Sequence, residues 1–290
     1  MRSILIPVLA AITYACSILF AKYGLTRRRI SIRDYIPGIF LSLTAFSVLT
    51  LFKWGHADTT ALFKAHNLIL LIALVVTAAI WNLLYYIGLS KEKLNTTEGI
   101  IILMPLFTIA LSWVVTPDNF DFRIAASVVA ATLLVALAYR PKKLVRFDIY
   151  GLMLIVSVIL MSVENVLASI LLRTGSLSPA MLYAIRTASI FIIFYAYYRP
   201  KLSKLGPRTI GLLTVSGFVG TSAMLLRFYG LRDAGITLTA IILILVPIIV
   251  FSSAMLFFHE RMKPKRLLAM LAIGVIIIYA SIINYTLLSK

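Results

Sequence analysis

Apolar residues in this 290-residue chain run in blocks close to the length that crosses a lipid bilayer, and that feature excludes most other folds. A membrane-spanning helix needs about 20 predominantly apolar residues. Such blocks lie near 3–23, 36–52, 67–89, 98–116, 124–139, 150–173, 179–198, 209–230, 236–258 and 267–287. Ten helices of that length leave only short connections and no room for a soluble domain. The composition agrees, at 61% hydrophobic and 13% charged; an ordinary soluble domain is roughly 45–50% apolar and about 25% charged. Strands of a membrane barrel alternate apolar and polar residues, whereas the run AIILILVPIIVF is apolar on every side. The first block begins directly after Met1 and Arg2 and has no small-residue cleavage motif, so it reads as a transmembrane helix and not a signal peptide. The sequence therefore predicts an all-α integral membrane protein of ten transmembrane helices, multi-pass in the cell (plasma) membrane.

The formal net charge is +18, but the basic residues gather at the block ends. With the connections numbered in order, 19 of the 28 Lys and Arg lie in the odd ones and 7 in the even ones and the termini. Lys and Arg favour the cytoplasmic side, which places the odd connections inside and both termini outside. A basic rim of this kind fits anionic lipid headgroups as its partner, and nucleic acid is not expected. The single cysteine, Cys16, sits inside the first block, so no disulfide framework, zinc site or other cofactor is expected.

One segment is written twice. From Gly88 to Pro105 and from Gly230 to Pro247, a constant offset of 142 residues pairs Gly88 with Gly230, Leu89 with Leu231, Thr97 with Thr239 and Pro105 with Pro247. Duplication divides the chain into two five-helix repeats, 1–142 and 143–290. Each repeat crosses the membrane an odd number of times, so the second must be inverted relative to the first. Inverted repeats are a hallmark of secondary transporters, with the solute site near the midplane between the halves. The matched prolines, Pro105 and Pro247, are expected to loosen their helices and serve as hinges.

The stretch from Phe228 to Ala280 is similar to the second half of drug/metabolite transporters of the EamA-like branch. Pro247 in an apolar span, Glu260 at the span's end and the pair Gly274-Val275 in the last span carry that resemblance. The first half departs from it: Asp118 stands where Glu260 does, and the Gly-Val pair has no counterpart. The resemblance implies a ten-helix transporter with both termini cytoplasmic, opposite to the charge count, which leaves the orientation open.

Ionisable residues within membrane helices usually face the bundle interior. Glu164 lies nine residues before Arg173 at the end of span 6, hence ~14 Å deep at about 1.5 Å per residue. Arg186 lies ~12 Å deep from the same face on span 7, within reach of Glu164. Their contact could be a structural ion pair or part of a solute cavity, with Glu164 also a candidate for proton coupling. Arg227 sits one turn from the end of span 8 and could snorkel to that same face. Asn165, Tyr183, Tyr14, Asn82, Tyr85 and Tyr86 complete a candidate substrate-binding set, each of which could equally join helices by hydrogen bonds. Glu98, at the start of span 4, reads as a helix-capping charge, and Glu260, beside Arg261 at a helix end, as either a loop-ordering or gate charge or plain surface charge.

An enzyme is disfavoured: His56, His66 and His259 all lie in connections, and neither HExxH nor GxSxG occurs. A channel is disfavoured because filters are normally built from several chains or four-fold repeats. The expected function is secondary active transport, most plausibly export, of a small polar or amphipathic metabolite such as an amino acid by alternating access. The alternative on the same scaffold is a flippase of a lipid-linked substrate. The partners implied are a small-molecule substrate and membrane lipid, with a proton as a candidate coupling ion and the chain acting as monomer or homodimer.

Overall fold

The computed structural model describes residues 2–115, 148–175 and 177–258, with isolated positions in 122–133 and 272–279. The spans expected at 124–139 and 267–287 fall almost wholly outside the described residues, as do Asp118, Glu260 and Gly274.

The described chain is helical. The helices are α1 (Arg2–Lys22), α2 (Ile32–Trp54), the short α3 (Thr59–Leu62), α4 (Ala65–Lys91), α5 (Leu94–Ile101), α6 (Met104–Val115), α7 (Ile149–Arg173), α8 (Pro179–Tyr198), α9 (Pro207–Asp233), α10 (Ile236–Ile242) and α11 (Leu245–Phe258). Among the described residues, 7 segments are long and apolar enough to cross a membrane, with α5 and α6 together forming one, and Ile236–Val250 is a shorter apolar segment. Local chemistry sets several ends. Asp148 caps α7 by accepting from the Gly151 amide at 2.8 Å, and Ser178 caps α8 by accepting from the Met181 amide at 3.2 Å. Pro179 and Pro207 occupy the first turns of α8 and α9, where a missing N–H costs nothing.

The spans that contain Pro105 and Pro247 are interrupted at 102–103 and 243–244, just before the prolines. Proline has no amide hydrogen to give the carbonyl four residues back. Around the second break the chain tightens instead: the Val246 amide donates to the Leu243 carbonyl at 3.0 Å and the Ile244 amide to Ile241 at 3.1 Å. In the first break the Leu103 amide donates to Ile100 at 3.0 Å. These three-residue turns let each helix resume at a changed angle.

Contacts between connections show that the chain alternates faces. On one face the Arg33 guanidinium donates to the Tyr198 carbonyl at 2.8 Å, joining the start of α2 to the end of α8. Lys22 donates to the carbonyls of Leu89 and Glu92 at 2.7 and 2.5 Å, joining the first and third connections and closing the C-terminal end of α4. On the other face the Ser178 amide donates to the His56 carbonyl at 2.9 Å, beside a two-residue bridge between Ala57 and Leu177.

Glu92 belongs to the first of these faces. Burial, with Asp148 beside it, raises its carboxyl above the ordinary value. A carboxyl raised on folding contributes stability that is present at low pH and fades as pH climbs through the raised value. Glu92→Gln is therefore expected to increase the melting temperature at neutral pH, with the gain disappearing below pH 4.5, the ordinary glutamate value.

The packing pairs helices of the first half with helices of the second. Helix α1 packs on α9 and α4 on α7, while α2 meets α8. Helices α5 and α6 lie against α7, as α10 and α11 lie against α1, and the two broken spans touch each other. The repeated glycines explain part of this. A Cβ on Gly88 would come within 2.5 Å of Leu154 on α7, and one on Gly230 within 3.2 Å of Pro7 on α1. Each is a point of close helix approach, the usual role of small residues in membrane bundles.

Candidate functional site: a central aromatic cavity

Five helices surround a central cavity whose empty volume, including its open mouth, is about 580 Å³. Small residues make the room: Ser17 on α1 and Ser216 and Gly220 on α9 line it where bulkier side chains would fill it. Its walls are aromatic, with Tyr14 from α1, Tyr35 and Phe40 from α2, Trp81, Tyr85 and Tyr86 from α4, and Tyr183 from α8. Tyr35 and Tyr86 meet edge to face at 5.4 Å between ring centres, and Trp81 and Tyr85 at 6.2 Å. Such a geometry orders the rings against one another. The lining comes from the later parts of α1 and α4, the beginning of α2, the middle of α9 and the first half of α8, so the cavity extends from the side that carries Lys22 and Arg33 to the depth of Arg186.

Arg186 brings charge to the wall. Its guanidinium Nε donates to Glu164 Oε1, and Nη2 lies 3.4 Å from Oε2. The Trp81 indole N–H donates to Oε2 at 2.5 Å, and the guanidinium stands 5.6 Å from the Trp81 ring centre. Both carboxylate oxygens are thus engaged behind the wall while Arg186 reaches the cavity. Glu164 and Arg186 are 1% and 2% exposed, so neither meets water freely.

Next to Glu164 on α7, Asn165 accepts from Arg227 Nη2 and donates to the Thr108 hydroxyl at 3.2 Å. This corrects the expected position of Arg227. It is buried, at 1% exposure, and does not snorkel, because α9 continues to Asp233 and so places Arg227 deeper than a span ending at 230. Its Nε has no partner. Tyr14 lies within electrostatic reach of Arg227, Glu98, Glu164 and Arg186.

Of the residues singled out in the sequence, Tyr14, Asn82, Tyr85, Tyr86, Tyr183 and Arg186 line the cavity; Glu164 touches it only through Arg186 and Trp81, and Asn165 and Arg227 form a neighbouring pair. Asn82 donates to the Ala78 carbonyl of its own helix at 2.7 Å. Pro105 and Pro247 do not reach the main cavity. They face each other across a small void also lined by Tyr14, Ile102 and Leu243.

Glu98 departs from its expected role. The fourth span begins at Leu94, a turn earlier than the apolar block, so Glu98 lies inside α5, fully buried, and caps nothing. Trp81 and Thr108 were invisible as site residues, although a tryptophan deep inside an apolar block, far from either interface, was a usable signal. Among the described residues no three or more His, Cys, Asp or Glu side chains come together as a metal site.

The broken span with Pro247, the capped α7 and α8 and the long α9 form the half of the chain that carries the deciding likeness. Residues 149–283 match the model of the EamA-like transporter family. That match takes in the whole stretch on which the resemblance was read, and points to a multi-pass membrane transporter of the drug/metabolite type. One crystal structure of a protein shares the fold over both halves: it superposes with a TM-score of 0.74, covering 99% of this chain and 98% of its own, at 11% sequence identity. No curated protein matches the chain.

Proposed function

We propose that this EamA-like chain is a secondary active transporter, an exporter of a small polar or amphipathic metabolite such as an amino acid, working by alternating access at the plasma membrane. The observation that carries the reading is the central cavity, built by helices of both halves and lined by tyrosines, Asn82 and Arg186. Aromatic faces hold the apolar part of a solute, and a few placed polar groups fix its orientation. Arg186 offers guanidinium donors to an anionic group. A cavity enclosed by five helices suits a water-borne solute better than a lipid tail, which would need a groove open along the bilayer.

Alternating access draws support from the packing. Exchanging each span with the one five places later converts the α1–α9 contact into α7–α4, and returns the α2–α8 contact to itself. It also converts the packing of the broken fourth span on α7 into that of the broken ninth on α1. Two halves with interchangeable contacts can trade conformations, which moves the opening from one face to the other. The ten-helix inverted arrangement, 1–142 and 143–290, is part of this proposal. No phosphate-binding P-loop occurs in the sequence, so a solute or ion gradient supplies the energy.

The test is thermal stability of the purified chain against amino acids, nucleosides, sugars, phosphates and cationic drugs. A solute at a hundredfold over its Kd adds about 2.7 kcal/mol. The expected result is a solute class that raises the melting temperature of the wild type and loses that effect in Arg186→Ala and Tyr183→Ala. A shift that survives both variants places the solute elsewhere.

A further inference from the structure

Four charged side chains are buried in the described membrane interior, and three of them are held. Glu164 has Arg186 and Trp81; Arg227 has Asn165. Glu98 has nothing: it is 0% exposed, and neither carboxylate oxygen has a hydrogen-bond partner. An ionised carboxylate in that condition is among the costliest things a protein interior can contain. Glu98 therefore requires a positive companion, and no described side chain provides one.

Its surroundings narrow what that companion is. From α1 and α4 the hydroxyls of Tyr14 and Tyr85 interact with it electrostatically, and both belong to the cavity wall. Tyr14 also interacts with Glu164, which is closed by its own partners, and with Arg227 of α9, which is bound to Asn165. Helices α10 and α11, of which α11 packs on α5, carry no titratable side chain. Among the described residues the groups shown to interact with Glu98 are tyrosine hydroxyls, not the roughly six to eight oxygens that a metal cation takes.

We propose that Glu98 is a proton-binding site of this transporter, holding a proton in the present conformation and releasing it to water when the adjoining cavity rearranges. The reading rests on the transporter proposal for its purpose, though not for its chemistry. The step is a single O–H ionisation, with the proton passing to cavity water and no other bond changed. Its position gives it leverage. The break at 102–103 and Pro105 follow Glu98 by one turn and two, so the carboxyl sits within one short segment of the bend in its span. The sequence favoured Glu164 for proton coupling; the geometry points to the carboxyl that is free.

Infrared difference spectroscopy of the purified chain, titrated with pH in the absence of any solute, tests this. Wild type should show a protonated carboxyl band at neutral pH that fades as pH rises. Glu98→Gln should lack it, and Glu164→Gln should keep it. Glu98→Asp, a milder change, should move the titration without abolishing it. A band unchanged in Glu98→Gln overturns the proposal. So does a wild type with no such band whose melting temperature is raised by Na⁺ or K⁺ in a manner that Glu98→Gln abolishes, since Glu98 is then a metal-cation site. Because neither transport nor solute enters the titration, its failure leaves the solute-induced thermal shift standing, and failure of that shift leaves the titration standing.

Discussion

Glu164→Leu is expected to destabilise the protein by about 3–5 kcal/mol, the usual cost of removing one member of a buried ion pair. The variant leaves Arg186, 2% exposed, charged and facing the Trp81 ring with no carboxylate. It also strands the Trp81 indole N–H, whose acceptor is Glu164 Oε2. Arg186→Met strands the carboxylate in the same way. The double variant Glu164→Leu/Arg186→Met removes both charges at once and should recover most of the loss, because an apolar pair of similar volume is often neutral relative to a buried ion pair. Unfolding measured on the two single variants and the double variant closes the cycle. Additive losses would mean that the two side chains act independently, against the geometry seen here.

Gly217→Ala comes next in size. A Cβ at that position would stand 2.0 Å from the Ser42 hydroxyl oxygen and 3.1 Å from the Ser42 backbone carbon. Helices α2 and α9 must separate to admit it, at a cost of about 1–3 kcal/mol for an overpacked site. The separation has a functional consequence, because both helices line the cavity a turn away through Leu43 and Gly220. Solute binding should therefore weaken along with stability. Ser42→Gly in the same chain opens the space and is expected to restore both; a Gly217→Ala variant as stable as the wild type would mean that α2 and α9 are not locked in this register.

The placement of the helices was legible because a bilayer leaves few choices. Helix α8 occupies 179–198 as read from its apolar block, and Ser178 followed by Pro179 marks its start. The Glu164–Arg186 contact was legible too, since matched depths on consecutive helices leave little else for them to meet. What failed was depth near block edges. A helix does not stop where its apolar residues stop: α9 runs on to Asp233 and buries Arg227, and α5 starts at Leu94 and buries Glu98. Trp81 was missed for a different reason, since its acceptor is 83 residues away on another helix, and only packing brings them together. The prolines marked the breaks, but the break itself falls upstream, where the carbonyls deprived of a proline amide must find other donors.

Alternating access makes one demand that a fixed pocket does not meet: the cavity must be reached from both sides of the membrane, one at a time. Cys16 is the only cysteine, so Cys16→Ser gives a thiol-free chain in a single step. Ser216 lines the cavity at 2% exposure with its hydroxyl unpartnered, which makes Ser216→Cys a gentle probe. The measurement is the labelling of that thiol by a membrane-impermeant reagent applied to either side of sealed vesicles of known orientation. The account predicts labelling from each side, with a solute that raises the melting temperature changing the two rates in opposite directions. Labelling from one side alone, with or without solute, would contradict it.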